Sequence, residues 1–136
     1  MKQNHTRAII FRILTILYIV AVAWLCFANF SKAPQMPRTL FGLPIDKVVH
    51  FLMFFPFPVL FYFAFCRPSS KAWHGILLTF SILILGGLFA AGTEYVQGFL
   101  PYREADASDF LADSLALCLS SIIVLLIALK KSVRHA

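Results

Sequence analysis

The chain has 136 residues, of which 60% are hydrophobic and only 13% carry a charge. Soluble domains carry roughly 25% charged residues, so this composition excludes an ordinary soluble fold and predicts that lipid is the solvent for much of the surface. The formal net charge of +6 does not indicate nucleic acid, because the basic residues flank apolar stretches and form no basic stripe with interleaved aromatic residues.

Four apolar stretches are long enough to cross a bilayer, which takes about 20 residues per helix. The predicted helices run from about Ile9 to Phe30, Val48 to Phe65, Gly75 to Glu94 and Phe110 to Leu129. The first could also be a cleaved signal peptide, but its apolar stretch exceeds the roughly 7–15 residues of a signal core, which favours a retained helix. The sequence therefore predicts an all-α membrane protein, with a single four-helix transmembrane domain over residues 1–136.

The distribution of Lys and Arg in the short flanking segments predicts the orientation. With the amino terminus inside, the outer loops hold four basic residues, Lys32, Arg38, Lys47 and Arg103. The inner segments hold eight, which are Lys2, Arg7, Arg12, Arg67, Lys71, Lys130, Lys131 and Arg134. Both termini are therefore expected in the cytoplasm.

Prolines and small residues predict how the helices bend and pack. Pro56 and Pro58 in the second helix each remove a backbone donor, which predicts a kink or break at mid-membrane. Small residues recur four apart on the third and fourth helices, where they permit close packing in lipid. These residues are Gly86 and Ala90 on the third helix, and Ala112, Ala116 and Ser120 on the fourth.

All six acidic residues fall in the outer loops or at outer helix ends, although the orientation rests on Lys and Arg alone. They are Asp46, Glu94, Glu104, Asp106, Asp109 and Asp113. Asp46 and His50 are four residues apart and share one face of the second helix. Asp109 and Asp113 have the same spacing on the fourth, whereas Glu104 is interpreted as a solvated loop residue.

Three ionisable residues, His50, Glu94 and Asp113, point to a polar site, since each such group in a span costs roughly 2.5–3.5 kcal/mol on insertion scales. Glu94 lies at the carboxyl end of its helix, where the helix dipole opposes a negative charge. It therefore needs a proton or a cation, which Lys47, His50 or Arg103 could supply. For Asp109 two interpretations stay open, a site residue and, like Ser108, a helix amino-terminal cap.

No motif indicates a cofactor. A metal centre of His50 with carboxylates lacks HExxH or comparable spacing, so no metal is predicted. Cys26, Cys66 and Cys118 show no CxxC spacing and are interpreted as small apolar residues. Because no P-loop, dinucleotide fingerprint or nucleophile elbow occurs, the sequence leaves open whether the protein is an enzyme.

Two sequence blocks resemble the VanZ-like family of membrane proteins. The first, Asp46-Lys47-Val48-Val49-His50-Phe51, is similar to the family's D-K-x-x-H-F signature. The second runs from Glu94 through Gln97, Phe99 and Pro101 to Arg103 and is similar to its E-x-x-Q-x-F-x-P-x-R segment. Downstream of Asp109, Asp113 and Ala116 stand where the family usually has Asn and Gly.

The resemblance implies a multi-pass protein of the bacterial cytoplasmic membrane that acts at the envelope face, with a possible link to teicoplanin resistance. The leading hypothesis is a site that binds or modifies an anionic envelope or lipid-linked molecule. Lys47 and Arg103 would hold phosphate or carboxylate, and His50 and Glu94 would handle protons. Asp46, Gln97, Asp109 and Asp113 would complete the binding site.

The alternative hypothesis is a structural or partner-binding membrane protein whose polar residues only stabilise the bundle. Membrane lipid is an expected partner in either case, nucleic acid is not, and the oligomeric state stays open.

Overall fold

The computed structural model describes residues 2–29, 39–40, 42–65, 71–103 and 105–135. This part of the chain is almost entirely helical. Its elements are α1 (Lys2–Phe27), β1 (Thr39–Leu40), β2 (Leu43–Pro44), α2 (Ile45–Phe54), α3 (Phe57–Phe65), α4 (Ala72–Gln97) and α5 (Ala107–His135). The two short strands pair antiparallel in a hairpin that leads into α2 and that the sequence did not predict. Gly42, with φ of +81°, provides its turn.

Four helical segments are long and apolar enough to cross a membrane, which confirms the predicted number of spans. They are Thr6–Phe27, Ile45–Phe65, Ala72–Gln97 and Ala107–Val133. Large apolar side chains cover their outer faces, and Leu17, Phe80 and Leu88 each expose 60% or more of their surface. Such faces are unfavourable in water and natural in lipid, so the fold indicates a multi-pass membrane protein.

The second span is broken, as Pro56 and Pro58 predict. Helix α2 ends at Phe54 and α3 begins at Phe57. The phenolic hydroxyl of Tyr18 in α1 donates a hydrogen bond to the carbonyl of Met53, in the last turn of α2. Carbonyls at a helix end lack intrahelical donors, and lipid offers none, so a side chain from a neighbouring helix satisfies this one.

Helices α4 and α5 pack closely at small residues, as predicted. A Cβ atom placed on Gly86 would lie only 2.6 Å from Cδ2 of Leu117, so only glycine allows this approach. Ala90, Ala116 and Ser120 are fully buried nearby. The packing brings the end of α4 and the beginning of α5 together.

At the end of the bundle where α2 and α5 begin and α4 ends, three helix ends lie three residues beyond the predicted positions, at Ile45, Ala107 and Gln97. Elsewhere α1 begins at Lys2 and ends at Phe27 instead of Phe30, α4 begins at Ala72, and α5 extends to His135. Many of the added residues are polar or charged, so hydropathy does not assign them to the spans. Asp46, Lys47 and Asp109, among the added residues, form ion pairs.

Candidate functional site

The carboxyl ends of α1 and α4 lie at the same end of the bundle as the amino ends of α2 and α5. All eight residues predicted for the site lie at this end. Helix α2 contributes Asp46, Lys47 and His50, α4 contributes Glu94 and Gln97, α5 contributes Asp109 and Asp113, and Arg103 lies between α4 and α5. We name seven of the residues here the polar cluster: Asp46, Lys47, His50, Glu94, Asp106, Asp109 and Asp113.

His50 lies at the centre of the polar cluster and is buried among three carboxylates. Its Nδ1 atom is 3.1 Å from Oδ1 of Asp113 and 3.8 Å from Oε1 of Glu94. Its Nε2 atom is 3.6 Å from Oδ2 of Asp109. With Asp113 ionised, its carboxylate can only accept hydrogen bonds, so Nδ1–H of His50 is then the donor to Asp113. Asp113 is fully buried, and this contact fixes the orientation of the imidazole ring.

Lys47 forms a second centre, nearer the surface. Its Nζ atom lies 2.9 Å from Asp46, 2.6 Å from Asp106 and 2.6 Å from Asp109. Asp109 joins the two centres, because Oδ1 faces Lys47 while Oδ2 faces His50. The Lys47 ammonium, with the hydroxyl and N–H of Ser108, holds the pKa of Asp106 well below its usual range.

Asp106, and not Asp109 or Ser108, caps the amino terminus of α5. Its Oδ1 atom accepts a hydrogen bond of 2.8 Å from the backbone N–H of Ser108, the second residue of the helix. The cap interpretation of Asp109 is therefore wrong. The side chain of Asp109 is 11% exposed and faces Lys47 and His50 of α2. A sequence pattern cannot distinguish this position from a cap.

Glu94 connects α4 to the loop before α5. Its Oε2 atom accepts a hydrogen bond of 3.2 Å from the backbone N–H of Asp106. Its Oε1 atom is buried, has no hydrogen-bond partner among the described residues and faces His50. Of the three bases considered for Glu94 from the sequence, His50 is the one in ion-pair distance among the contacts described.

The loop end of α4 holds the carboxyl end of α1, which the sequence did not predict. Three side chains of the second sequence block donate hydrogen bonds to carbonyls in the last turn of α1, where intrahelical donors are missing. Gln97 Nε2 binds Cys26 O at 3.0 Å, Tyr102 Oη binds Phe27 O at 3.1 Å, and Arg103 Nη2 binds Leu25 O at 2.9 Å and Ala28 O at 3.1 Å. Anion binding by Arg103 and Gln97 stays a prediction. Tyr102 was not predicted, although its place within that block was a signal.

A groove of about 360 Å³ lies against the polar cluster between α4 and α5. Its walls are mostly apolar, and two carboxylates of the polar cluster open onto it. The lining residues are Ala91, Glu94, Tyr95, Ala105, Asp106, Ala107 and Phe110. A ligand that fits this surface is amphipathic, with a polar group near the carboxylates and an apolar part along the groove.

The described cysteines, Cys26 and Cys118, are free thiols, and Cys66 and Glu104 lie outside the described residues. Potential metal ligands lie elsewhere. One ring nitrogen of His50 and one oxygen each of Glu94 and Asp109 lie within 4.8 Å of one another. A second, more exposed group consists of Asp46, Asp106 and Asp109.

Four membrane-length helices, whose described acidic residues gather with Lys47 and His50 at one end of the bundle, define a multi-pass membrane protein with a polar cluster at that end. The chain belongs to the VanZ/LLP1 family, which it matches over residues 11–128. The resemblance found in the two sequence blocks is thus confirmed.

A relative exists in fission yeast. The chain is 33% identical over 112 residues to the uncharacterized protein C11E3.10 of Schizosaccharomyces pombe. The match covers 82% of this chain and 63% of that protein, so the chain spans less than two thirds of its relative's length. Because a relative occurs in yeast, family membership alone does not place the chain in a bacterial membrane. No solved structure matches the chain.

Proposed function

We propose that the polar cluster binds or modifies an anionic molecule carried on a membrane lipid, such as a lipid-linked envelope precursor. One observation carries this proposal: buried ionisable side chains from three helices meet beside a mostly apolar groove. The groove suits a lipid chain, and the adjoining polar cluster suits a headgroup. Buried ionisable groups in spans are costly, which favours a functional role for them.

The contacts suggest a role for each residue of the proposed site. His50, oriented by Asp113, exchanges a proton with the bound headgroup, and Glu94 is the second proton-handling group because it reaches both His50 and the groove. The ammonium group of Lys47 pairs with a phosphate or carboxylate of the ligand. Its side chain is 22% exposed, so an incoming anion can replace one of its carboxylate partners.

The proposed location is the extracytoplasmic face of a bacterial cytoplasmic membrane, with both chain termini in the cytoplasm. The support is the distribution of Lys and Arg and the family resemblance. If the protein acts on the target of teicoplanin, its expression in a susceptible bacterium should raise the inhibitory concentration of teicoplanin, and the His50→Gln variant should not.

A second candidate function is favoured by the contacts of Arg103. Gln97, Tyr102 and Arg103 all bind the end of α1, so part of the family signature holds the bundle together. On this view the protein is a structural or partner-binding membrane protein. Substitutions in the signature would then lower protein abundance or stability, and no specific lipid would co-purify with the protein.

Mass spectrometry of co-purifying lipids tests the proposed function. We expect the wild type to retain a specific anionic lipid that the Glu94→Gln and His50→Gln variants lose. His74→Gln is a matched control, because His74 is an exposed residue at the start of α4, at the opposite end of the bundle. Identical lipid profiles in the wild type and both cluster variants would contradict the proposal and favour the structural function.

A further inference from the structure

The ligand atoms that converge at His50 match the coordination chemistry of a divalent metal ion. One nitrogen of His50 and one oxygen from each of Glu94 and Asp109 lie within 4.8 Å of one another. Metal bonds to imidazole and carboxylate ligands are about 2.0–2.2 Å long, so small side-chain adjustments bring the three ligands onto one ion. The three residues come from α2, α4 and α5, and the packing of these helices fixes their separation.

The free oxygen of Glu94 is an independent sign of a ligand. Glu94 is 9% exposed, and its Oε1 atom is buried without a hydrogen bond among the described residues. A buried carboxylate oxygen in this state is costly, and most such atoms in folded proteins have a partner. Oε1 lies on the side of His50, 3.8 Å from Nδ1, so the missing partner belongs inside the polar cluster.

Asp113 occupies the position of a positioning residue for a metal-binding histidine. Histidines that bind a metal through one ring nitrogen usually donate the other N–H to a carboxylate or carbonyl, which fixes the ring and raises its basicity. Nδ1 of His50 is 3.1 Å from the fully buried Asp113, while Nε2 faces Asp109. This arrangement leaves Nε2, beside Asp109, for the ion. The carboxylate of Glu94, whose Oε1 atom is 3.8 Å from Nδ1, has to turn toward Nε2 to join them.

The charge at this end of the bundle also favours a cation. Among the described residues, the five carboxylates of the polar cluster share this end of the bundle with three bases, Lys47, His50 and Arg103. Even if all three bases are charged, negative charges exceed positive ones by two, from five minus three. A single divalent ion balances that difference.

We infer that the protein holds one divalent first-row metal ion, Mn²⁺ or Zn²⁺, bound by His50, Glu94 and Asp109 and supported by Asp113. An imidazole with two carboxylates suits these ions better than Mg²⁺ or Ca²⁺, which prefer oxygen ligands alone. The inference goes beyond the proposed function and does not rest on a lipid ligand. With the ion bound, His50 and Glu94 serve as metal ligands, which replaces the proton-handling role proposed for them.

Metal analysis of the purified full-length protein tests this inference. Detergent-solubilised wild type is stripped with a chelator, dialysed against Mn²⁺ or Zn²⁺, desalted and measured by mass spectrometry. We expect about one ion per chain for the wild type, and at least a tenfold weaker affinity for His50→Gln and Glu94→Gln, with His74→Gln as the unchanged control. The positioning role predicts a loss of about 10–100-fold for Asp113→Asn. No bound ion at millimolar metal, or wild-type affinity in His50→Gln, would overturn the inference.

A second measurement needs no variant, in case His50→Gln fails to fold. Pulsed electron paramagnetic resonance of Mn²⁺ bound to the wild type should show coupling to an imidazole nitrogen, and a spectrum without it refutes the site. Lipid retention is measured separately on the chelated protein. Metal binding without a specific lipid would contradict the proposed function alone, and a retained lipid without metal binding would contradict the metal site alone.

Discussion

Replacing Arg103 with alanine separates the two functions considered for this chain. The guanidinium donates to the carbonyls of Leu25 and Ala28 at the end of α1, the first contact exposed and the second partly buried. Hydrogen bonds from a charged donor contribute about 1.5–3 kcal/mol, and less at an exposed site. Their joint loss should lower the free energy of unfolding by about 2–4 kcal/mol.

Unfolding in mixed micelles, titrated with SDS and followed by circular dichroism, gives this free energy. Arg103→Lys keeps the charge without the planar, multidentate donor, so we expect an intermediate loss. Lys130→Ala, at an exposed position near the other end of α5, should change the free energy by no more than about 0.5 kcal/mol. If Arg103→Ala is as stable as the wild type but loses the co-purifying anionic lipid, Arg103 binds the ligand and the structural account of this residue is refuted.

Two further predictions concern the packing and the topology of the bundle. Gly86→Ala should destabilise the protein by about 1–3 kcal/mol, because the new methyl group overlaps Leu117. Gly87→Ala is the control and should be neutral or slightly stabilising, because no atom lies within 4 Å of the added methyl group. Equal effects of the two substitutions would contradict the close approach of α4 and α5. In a variant without native cysteines, an impermeant thiol reagent added outside the cell should label Asp46→Cys but not Lys71→Cys; the reverse pattern would invert the proposed orientation.

The sequence was sufficient for the number of spans and the break in the second. The length of the apolar stretches determines the number of spans, and the missing N–H groups of Pro56 and Pro58 determine the break in the second span. It also placed the acidic residues, with Lys47 and His50, at one end, because antiparallel spans of similar length bring alternate helix ends together. The four-residue spacing of Asp109 and Asp113 put both on one face of the fourth helix, and in the structure both side chains face His50.

The sequence was insufficient wherever a residue's partner comes from a distant segment. The contacts of Arg103 and Gln97 join positions more than 70 residues apart, and no local pattern shows that the end of α1 needs donors. The cap of α5 was considered at Ser108 or Asp109 and not at Asp106, because all three are good capping residues and only the helix start selects among them. Hydropathy ended most helices early because it counts polar residues as exposed, whereas it extended the first helix three residues past Phe27.

The break at Pro56 divides one membrane span into two short helices, α2 and α3, which pack against different neighbours. Helix α2 packs mainly against α5, whereas α3 packs against α1, α5 and α4. An unbroken helix would link these two sets of contacts rigidly. The break at Pro56 therefore allows sequence changes around α3 without changing the distances from Lys47 and His50 to Asp109 and Asp113.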